Sequence, residues 1–383
     1  MLSKVVADTF KKYGVSVGSR IAVNATCSNE ALTSLRMFNK SHFIPSWQPR
    51  MTLAGLAEHM ADFVVTEDMS MKATNTELCK SLGIYHLPTG LSVPDSSTST
   101  QEESPGVVLQ VSSGHRCLQL SQEQLDAQVT NLSNLITITS EEHLVILDLG
   151  FTSSWILNGL AFSEYNPTFI HSLQIEKFPA RDFTLLCDYP TFRELSEFVK
   201  TEKDLPHRIS RIFVDLPTNF ADLEISTCNF RHFTLHCTTP ETGSLFLLDR
   251  EARSILKRSS TEIRIKNGRL QASGPAAKAH YLNRPRSNEV MTDGDWINTG
   301  YAMTFEDDNQ VSWFVSPPSI RDVPVSDLME PDWSVDSKPL NRMRLRRGSK
   351  NQRYLTNKSQ VSAFYRKRYF HRQTMKSRAV VRK

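Results

Sequence analysis

The spacing of hydrophobic positions changes along this chain and predicts two kinds of structure. In the first hundred residues, apolar positions at the 3.6-residue spacing of a helix alternate with short apolar runs such as 19–24 and 62–66. The alternation returns after residue 106 and predicts strands at 106–111, 143–149, 182–187 and 209–214, and helices at 121–135, 152–161 and 190–200. Such alternation is typical of parallel sheets flanked by helices.

From Leu245 the pattern changes to short strands separated by turns, which predicts a β-rich unit. Residues 89–105 are rich in Ser, Thr and Pro and hold three acids and no base, as a surface linker does. We therefore expect an α/β fold with central sheets flanked by helices, and five segments: a first α/β subdomain at 1–88, the linker at 89–105, a second α/β subdomain at 106–243, a small β-rich subdomain at 244–315 and an extended basic tail at 316–383.

Charge changes this picture because it is segregated along the chain. The 383 residues have a formal net charge of +4, yet the 42 residues from Arg342 to Lys383 hold 15 basic and no acidic residues. The preceding 341 residues hold 30 basic against 41 acidic residues, a net charge of −11. An acidic body joined to a basic tail predicts a chain that reaches into a polyanion.

Aromatic residues interleave with the cations of the tail, and this combination favours RNA. Guanidinium groups bind phosphates in a bidentate manner, and aromatic rings stack on unpaired bases. A solvated tail or a localisation signal is the alternative. The predicted RNA-binding residues are Arg342, Arg344, Arg346, Arg347, Lys350, Arg353, Lys358, Tyr365, Arg366, Lys367, Arg368, Tyr369, Phe370, Arg372, Lys376 and Arg378.

Several function classes receive no support from the composition. No apolar run approaches the roughly 18 residues of a membrane span. The six cysteines are scattered, which favours a reducing compartment. Zinc is a weak alternative at Cys228, His232, His236 and Cys237, because their spacing is not a standard ligand pattern, and we expect no metal. The N-terminus fits either a core helix or a very short organelle-targeting sequence.

Local phrases of the chain follow one another in the order of a known family. The most specific are 270–275, 281–285 and 293–300, preceded by 13–23 and 183–192. From about residue 5 to 315 the chain resembles the large domain of the adenylate-forming acyl-CoA synthetases, the AMP-dependent synthetases and ligases. The resemblance implies the same α/β body with a β-rich subdomain.

The chain departs from that family where the chemistry occurs. The family cradles the triphosphate of ATP with a flexible Ser/Thr/Gly loop and a Lys, because backbone N–H groups and a cation must neutralise the leaving pyrophosphate. The matching segment keeps Ser112, Ser113 and Gly114 and then lacks the rest of the loop and its Lys. The resemblance therefore implies that triphosphate binding is lost.

Two further nucleotide-binding motifs of the family are also degenerate. The adenine and magnesium motif falls on 237–241, where only Glu241 survives. Tyr301 stands where the family has the carboxylate that holds the ribose hydroxyls, and a phenol cannot accept both hydroxyls. The hinge expected beyond Phe314 is missing, and we expect the small domain with the catalytic Lys to be missing too.

These losses predict a scaffold without catalytic residues, cofactor or small-molecule substrate. The combination with a basic tail is similar to a lineage-specific ribosomal protein, with ribosomal RNA and neighbouring ribosomal proteins as partners. A mitochondrial location rests on the analogy that mitochondrial ribosomes recruit old metabolic enzymes. The alternatives are a ribosome assembly factor, and an acyl-CoA- or nucleotide-binding protein with residual ligase-like activity.

Overall fold

The computed structural model describes a large part of the body and two short segments of the tail. The described residues are 14–15, 18–24, 27–29, 31–33, 44–47, 56, 61–66, 79, 84–86, 109–113, 116–150, 154–202, 204–216, 230, 232–278, 280–281, 288–289, 291–313, 343–347 and 351–355. The predicted linker at 89–105 and the predicted N-terminal helix lie outside them.

The elements follow the predicted alternation closely up to residue 216. The early strands are β1 (Arg20–Asn24), β2 (Ile44–Trp47), β3 (Phe63–Thr66), β4 (Tyr85–His86), β5 (Leu109–Ser113) and β6 (Arg116–Leu120). Next come α1 (Gln122–Leu135), β7 (His143–Leu147), α2 (Ser154–Ala161), β8 (Thr168–Ile170), β9 (Phe183–Asp188), α3 (Tyr189–Phe198), α4 (Leu205–Arg208) and β10 (Ile209–Asp215).

Strands dominate after β10, as predicted. They are β11 (Phe233–Thr239), β12 (Gly243–Leu248), β13 (Ile255–Arg258), β14 (Glu262–Lys266), β15 (Arg269–Ser273), β16 (His280–Tyr281), β17 (Thr292–Asp293), β18 (Trp296–Phe305) and β19 (Val311–Trp313). The tail contributes β20 (Met343–Arg347) and β21 (Asn351–Leu355). Short 3-10 helices occur at Ser163–Tyr165, Ile175–Lys177 and Pro275–Ala277.

Four sheets organise these strands. The first has the order β16-β6-β5-β2-β1-β3-β4. The five neighbouring strands from β5 to β4 in this order are parallel to one another. The second has the order β13-β12-β11-β10-β9-β7-β8 and is parallel from β11 to β8. The third is an antiparallel sheet of β14, β15, β18 and β17, with β19 paired to β18, and the fourth consists of β20 and β21.

The sheets cut across the segment boundaries expected from the sequence. Strands β5 and β6 lie after the predicted linker and yet belong to the first sheet, which β16 completes from the predicted β-rich segment. Strands β12 and β13 belong to the second sheet although the β-rich segment was expected from residue 244. Local periodicity identifies a strand without naming its partner, because pairing depends on topology.

Local sequence explains the most regular elements. Ser121 begins α1 with a capping box, since its hydroxyl accepts from the backbone of Gln124 and the Gln124 side chain accepts from the backbone of Ser121. All six residues of β9 are buried, as in a strand covered on both faces. Asn267 and Gly268 connect β14 to β15 with φ values of 52° and 70°, the conformation of a tight hairpin turn.

Two hydrophobic clusters cover the two faces of the second sheet. One joins α1 and α2 to the first sheet and includes the fully buried Trp155. The other joins α3 to the third sheet and includes Phe192, Phe246 and Tyr301. Within the described residues, every helix is too short or too polar to cross a membrane.

Candidate functional site

The segment that matches the family's phosphate loop is a tight β-hairpin. Ser112 pairs with Cys117, and Ser113 pairs with Arg116 across the antiparallel strands β5 and β6. Only Gly114 and His115 connect the paired residues, and both lie outside the described residues. A connection of two residues is too short to surround three phosphates with backbone N–H groups.

Glu241 lies in the turn between β11 and β12, where it has an internal partner. The side chain is 9% exposed, and its Oε1 accepts a hydrogen bond from the hydroxyl of Tyr281 in β16. Gln128 of α1 holds the same turn by donating to the carbonyl of Pro240 at 3.2 Å. The acid that the sequence analysis aligned with the adenine and magnesium motif therefore joins the second sheet to the edge strand of the first.

Gly243 shows how closely this turn is packed. Its φ is +66°, and a Cβ atom at this position would lie 2.6 Å from Cγ of Gln128. Both the backbone conformation and the space therefore require glycine.

Tyr301 occupies the position of the family's ribose-binding carboxylate and is a core residue. Its side chain is 0% exposed. Its hydroxyl lies 2.7 Å from the carbonyl oxygen of Leu216, directly after β10, and 2.9 Å from that of Thr238 in β11, so these two acceptors share its single hydrogen. The ring packs edge-on against Trp313, with 5.9 Å between centroids. Burial raises the pKa of Tyr301 well above its usual value, so the phenol stays neutral.

Cys237, the first residue of the segment aligned with the family's adenine and magnesium motif, lies beside this phenol. The thiol is fully buried, and burial raises its pKa well above the usual value. A neutral buried thiol offers neither a stacking surface nor a thiolate nucleophile. The structure thus brings Cys237, Glu241 and Tyr301 to one edge of the second sheet, and packs Cys237 and Tyr301 into its core.

Three aspartates that the sequence analysis did not single out gather at the same edge. Asp148 follows β7, Asp188 ends β9, and Asp215 ends β10. Because these neighbouring strands are parallel, their carboxyl ends meet. The signal in the sequence was an aspartate directly after each of three apolar runs.

Internal groups satisfy part of this aspartate cluster. Asp148 Oδ1 accepts from the backbone N–H of Gly150 at 2.6 Å, and Asp188 Oδ1 accepts from that of Thr191 at 2.8 Å as the N-cap of α3. Asp215 Oδ1 lies 2.8 Å from Nδ1 of the buried His236. Asp148 Oδ2 and His236 Nε2 are buried and have no hydrogen-bond partner in the part of the chain that the structure describes.

Asp148 is buried among these carboxylates, and burial shifts its pKa. Burial raises its pKa to about 7, and the charges of Asp188 and Asp215 act in the same direction, while the N–H of Gly150 opposes them. Burial at this edge therefore favours the protonated form of Asp148. Over the described ranges, no three His, Cys, Asp or Glu side chains are arranged to hold a metal ion.

The residues of the unfavoured zinc alternative either make other contacts or lie outside the described residues. His236, from the unfavoured zinc alternative, bonds to Asp215, and Cys228 lies outside the described residues. Near the opposite end of the sheet, His143 at the start of β7 contacts Thr168 at 3.0 Å and Arg181 at 2.7 Å, and its neighbour Glu142 pairs with Arg211.

The tail residues predicted to bind RNA are only partly described. Arg344, Arg346 and Arg347 lie on β20, and Arg353 lies on β21, in an antiparallel ribbon. The sequence analysis expected an extended tail and did not foresee these paired strands. Outside the described residues lie Arg342, Lys350, Lys358, Tyr365, Arg366, Lys367, Arg368, Tyr369, Phe370, Arg372, Lys376 and Arg378.

Comparison with known proteins identifies the fold. Neither a family model nor a curated protein sequence matches the chain. Solved structures do match: o-succinylbenzoate CoA synthetase (MenE) from Bacillus subtilis in complex with AMP has a TM-score of 0.63 at 15% identity, over 83% of this chain and 91% of that one.

Two further structures give the same result. The amide bond synthetase McbA from Marinactinospora thermotolerans has a TM-score of 0.62 at 14% identity, over 82% of this chain and 72% of that one. The N-terminal domain of FACL13 from Mycobacterium tuberculosis has a TM-score of 0.61 at 12% identity, over 82% and 90%. The α/β fold expected from the sequence is therefore confirmed as that of the acyl-CoA synthetase large domain.

Proposed function

We propose that this chain is a structural, non-catalytic subunit of a mitochondrial ribosome. Its pseudoenzyme body serves as a scaffold, and its basic tail binds ribosomal RNA beside neighbouring ribosomal proteins. The observation that carries the proposal is the conversion of nucleotide-binding positions into core, above all Tyr301, in a chain whose last 42 residues hold 15 cations. Fold alone does not fix function, so the proposal rests on these residues.

The contacts made at each of these positions support the proposed absence of catalysis. A two-residue hairpin connects β5 to β6 where the triphosphate loop would be, and the Tyr301 hydroxyl is committed to two backbone carbonyls. Opening a site for ribose at Tyr301 would remove a ring buried against Trp313. The same groups cannot fill the core and bind a nucleotide.

Sedimentation of the tagged full chain from mitochondrial lysates tests the ribosomal role. In a sucrose gradient analysed by mass spectrometry, we expect the chain to follow one mature ribosomal subunit in constant ratio to its proteins. Ribonuclease treatment should release it toward the top of the gradient. A chain found only with immature particles is an assembly factor, and a chain that stays at the top of the gradient contradicts the proposal.

Pyrophosphate exchange tests the non-catalytic role separately. Purified chain should not exchange pyrophosphate into ATP with short, fatty or aromatic acids, and it should not bind ATP or acyl-CoA in calorimetry. The o-succinylbenzoate CoA synthetase serves as the positive control. Acid-dependent exchange that disappears in a Glu241→Gln variant would show that the body is still an enzyme.

A further inference from the structure

Two buried aspartates stand side by side at the carboxyl edge of the second sheet. Leu147 of β7 pairs with Cys187 of β9 in parallel register, so the residues that follow them, Asp148 and Asp188, occupy neighbouring positions. Adjacent strands of a sheet are about 4.8 Å apart. Each of the two aspartates is only 4% exposed. The sheet therefore holds two carboxyl groups close together and away from water.

Asp148 and Asp188 also share one face of the sheet. Ile146 and Leu186, two residues earlier on the same strands, both belong to the hydrophobic cluster that joins α1 and α2 to the first sheet. Because side chains alternate between the two faces along a strand, the aspartates lie on the face of Ile146 and Leu186. The two carboxyl groups are thus neighbours on one side of the sheet.

One oxygen of each carboxyl group is fixed by a backbone N–H group. Oδ1 of Asp148 accepts from Gly150, and Oδ1 of Asp188 accepts from Thr191 in the first turn of α3. A third hydrogen bond connects the two chain segments, since the N–H of Leu149 donates to the Thr191 hydroxyl at 3.3 Å. The segment that leaves β7 is therefore fastened to the start of α3, next to the two carboxyl groups.

One oxygen of Asp148 is left over. Its Oδ2 is buried and has no hydrogen-bond partner among the described residues. Two carboxylates in one buried site repel each other, whereas a protonated carboxyl group can donate a hydrogen bond to a carboxylate beside it. Pairs of carboxyl groups in other proteins share one proton for this reason. Burial raises the pKa of Asp148 to about 7, and the charge of Asp188 acts in the same direction.

The other ionisable groups near Asp148 are negative, neutral or already bonded. Asp215 adds negative charge, and its Oδ1 bonds to the ring of His236. The thiol of Cys187 stays neutral, because burial and the charges of the aspartates raise its pKa well above the usual value. The thiol of Cys27 donates to the backbone oxygen of Asp148 at 3.6 Å, and so it contacts the main chain rather than the carboxyl group.

The elements packed around the pair offer no counterion within the described residues. Helix α2 (Ser154–Ala161) has no ionisable side chain. The charged residues of α1 and α3, and the histidine that follows β8, are all exposed: Glu123, Asp126, Arg193, Glu194, Glu197 and His171. A proton is therefore the positive charge that this pair lacks.

We propose that Asp148 and Asp188 share one proton and form a pH-sensitive latch, which holds the segment after β7 against the start of α3. Loss of the proton leaves two buried carboxylates, whose repulsion opens the contact between Leu149 and Thr191. This inference goes beyond the proposed function, because it concerns the body alone and does not depend on RNA binding.

The proton balance sets the direction of the response. The closed latch holds one proton and one negative charge, and the open latch has released that proton to water and carries two negative charges. In the open form Asp148 is hydrated, and its pKa returns toward the ordinary value of 3.8. Opening is therefore rarest below pH 3.8, becomes up to about tenfold more frequent with each pH unit above it, and levels off above about pH 7.

Hydrogen exchange of the full chain measures this opening. The readout is the protection factor, the ratio of the intrinsic to the observed exchange rate, so the ordinary pH dependence of exchange cancels. Mass spectrometry follows it from pH 5 to pH 7 in a peptide that contains Leu149 and Gly150. The hairpin of β14 and β15 serves as the internal control, because it belongs to the third sheet.

In the wild type, protection after β7 should fall by about tenfold to a hundredfold between pH 5 and pH 7, as the release of one proton requires. Protection of the control hairpin should not change. Asp148→Asn keeps a donor of the same shape and cannot ionise, so the fall should disappear. Asp188→Asn still caps α3 but carries no charge, so the fall should be at least about threefold smaller than in the wild type.

Two results would overturn the proposal. An equal fall in Asp188→Asn and in the wild type would show that Asp148 titrates alone, and wild-type protection that does not vary with pH would show that the segment stays closed. Asp126→Asn removes an exposed charge on α1 and should match the wild type. Thermal unfolding at pH 5 checks that every variant is folded. If Asp188→Asn does not fold, a fall that persists in Asp148→Asn overturns the proposal by itself.

Discussion

The carboxyl edge of the second sheet and the ribbon of the tail both concentrate charges of one sign, and they handle them in opposite ways. At the edge, Asp148 and Asp188 accept hydrogen bonds from backbone N–H groups, and Asp215 bonds to the His236 ring. Burial raises the pKa of Asp148 to about 7. The tail has no acid from residue 337 to 383 that could pair with its cations. Charges that the fold itself pairs belong to the architecture, whereas the proposed role assigns the cations of the tail to an external polyanion.

The largest expected effect is the salt dependence of RNA binding by the full chain. If about 6 to 10 of the tail's cations contact phosphates, affinity should fall by roughly 10³ to 10⁵ between 50 and 200 mM salt. Titrations of full-length, tail-only and body-only proteins measure this slope. If the body, with its net charge of −11, bound RNA and the tail did not, the assignment of RNA binding to the tail would be wrong.

Variants of the tail separate phosphate contacts from stacking. Replacing Arg342, Arg344, Arg346 and Arg347 by Gln should flatten the slope and weaken binding to many RNAs alike, because phosphates carry little sequence information. Replacing Tyr365, Tyr369 and Phe370 by Leu should reduce affinity by about 1 to 3 kcal/mol for each ring that stacks, with little change in slope. A slope that changes equally in both variants would show that the rings serve only to hold the tail's structure.

Substitutions of Tyr301 test the carboxyl edge of the second sheet, and we expect their effect on stability to be the second largest. Tyr301→Ala should reduce the free energy of unfolding by about 3 to 5 kcal/mol, as for other large buried rings. Tyr301→Asp should cost more, because an unpaired carboxylate would face the carbonyl oxygens of Leu216 and Thr238. Tyr301→Phe keeps the ring and should cost about 1 to 2 kcal/mol for the lost hydrogen bonds.

Urea unfolding of these three variants measures the order of their effects. Each variant is also titrated with AMP, because the aspartate restores the family's residue. A Tyr301→Asp protein that is as stable as wild type and binds AMP would mean that the position is still a ribose site with one altered group.

Asp148 gives a smaller effect whose sign depends on pH. The folded protein holds a proton at a pKa of about 7, whereas the unfolded chain releases it near the ordinary value of 3.8. This contribution to stability is fully present below pH 3.8 and is lost as the pH rises through about 7. Asp148→Asn resembles the protonated form and does not titrate. As the pH rises from 5 to 8, its free energy of unfolding should therefore increase by about 2 to 3 kcal/mol relative to that of the wild type.

Urea midpoints at several pH values check this gain. Asp126→Asn is the matched control, because Asp126 is an exposed aspartate on α1 that also loses one negative charge. A difference between Asp148→Asn and wild type that does not vary with pH would show that Asp148 stays ionised.

The sequence predicted what is locally determined and missed what topology assembles. Helix α1 was foreseen at 121–135 because its capping box and apolar spacing are adjacent in the chain. The aspartate cluster was missed because β7, β9 and β10 become neighbours only through sheet order. The positions that differ from the family's motifs were found through a family resemblance, yet the carbonyl groups that accept from Tyr301 belong to Leu216, directly after β10, and to Thr238 in β11, more than 60 residues earlier. The ribbon was missed because its register depends on pairing across a turn.

The smallest expected effect concerns the link between the two regions. Among the residues whose burial the structure describes, both hydrophobic clusters consist of residues between Val15 and Trp313. Truncation at about residue 335 should therefore leave a cooperatively unfolding body whose free energy of unfolding changes by less than about 0.5 kcal/mol, the range of substitutions outside a core. Calorimetry and urea unfolding of the truncated and full chains at equal salt measure this difference. A truncated body that is molten or insoluble, beside a full chain that folds alone, would show that the tail completes the core and that its cations are partly architectural.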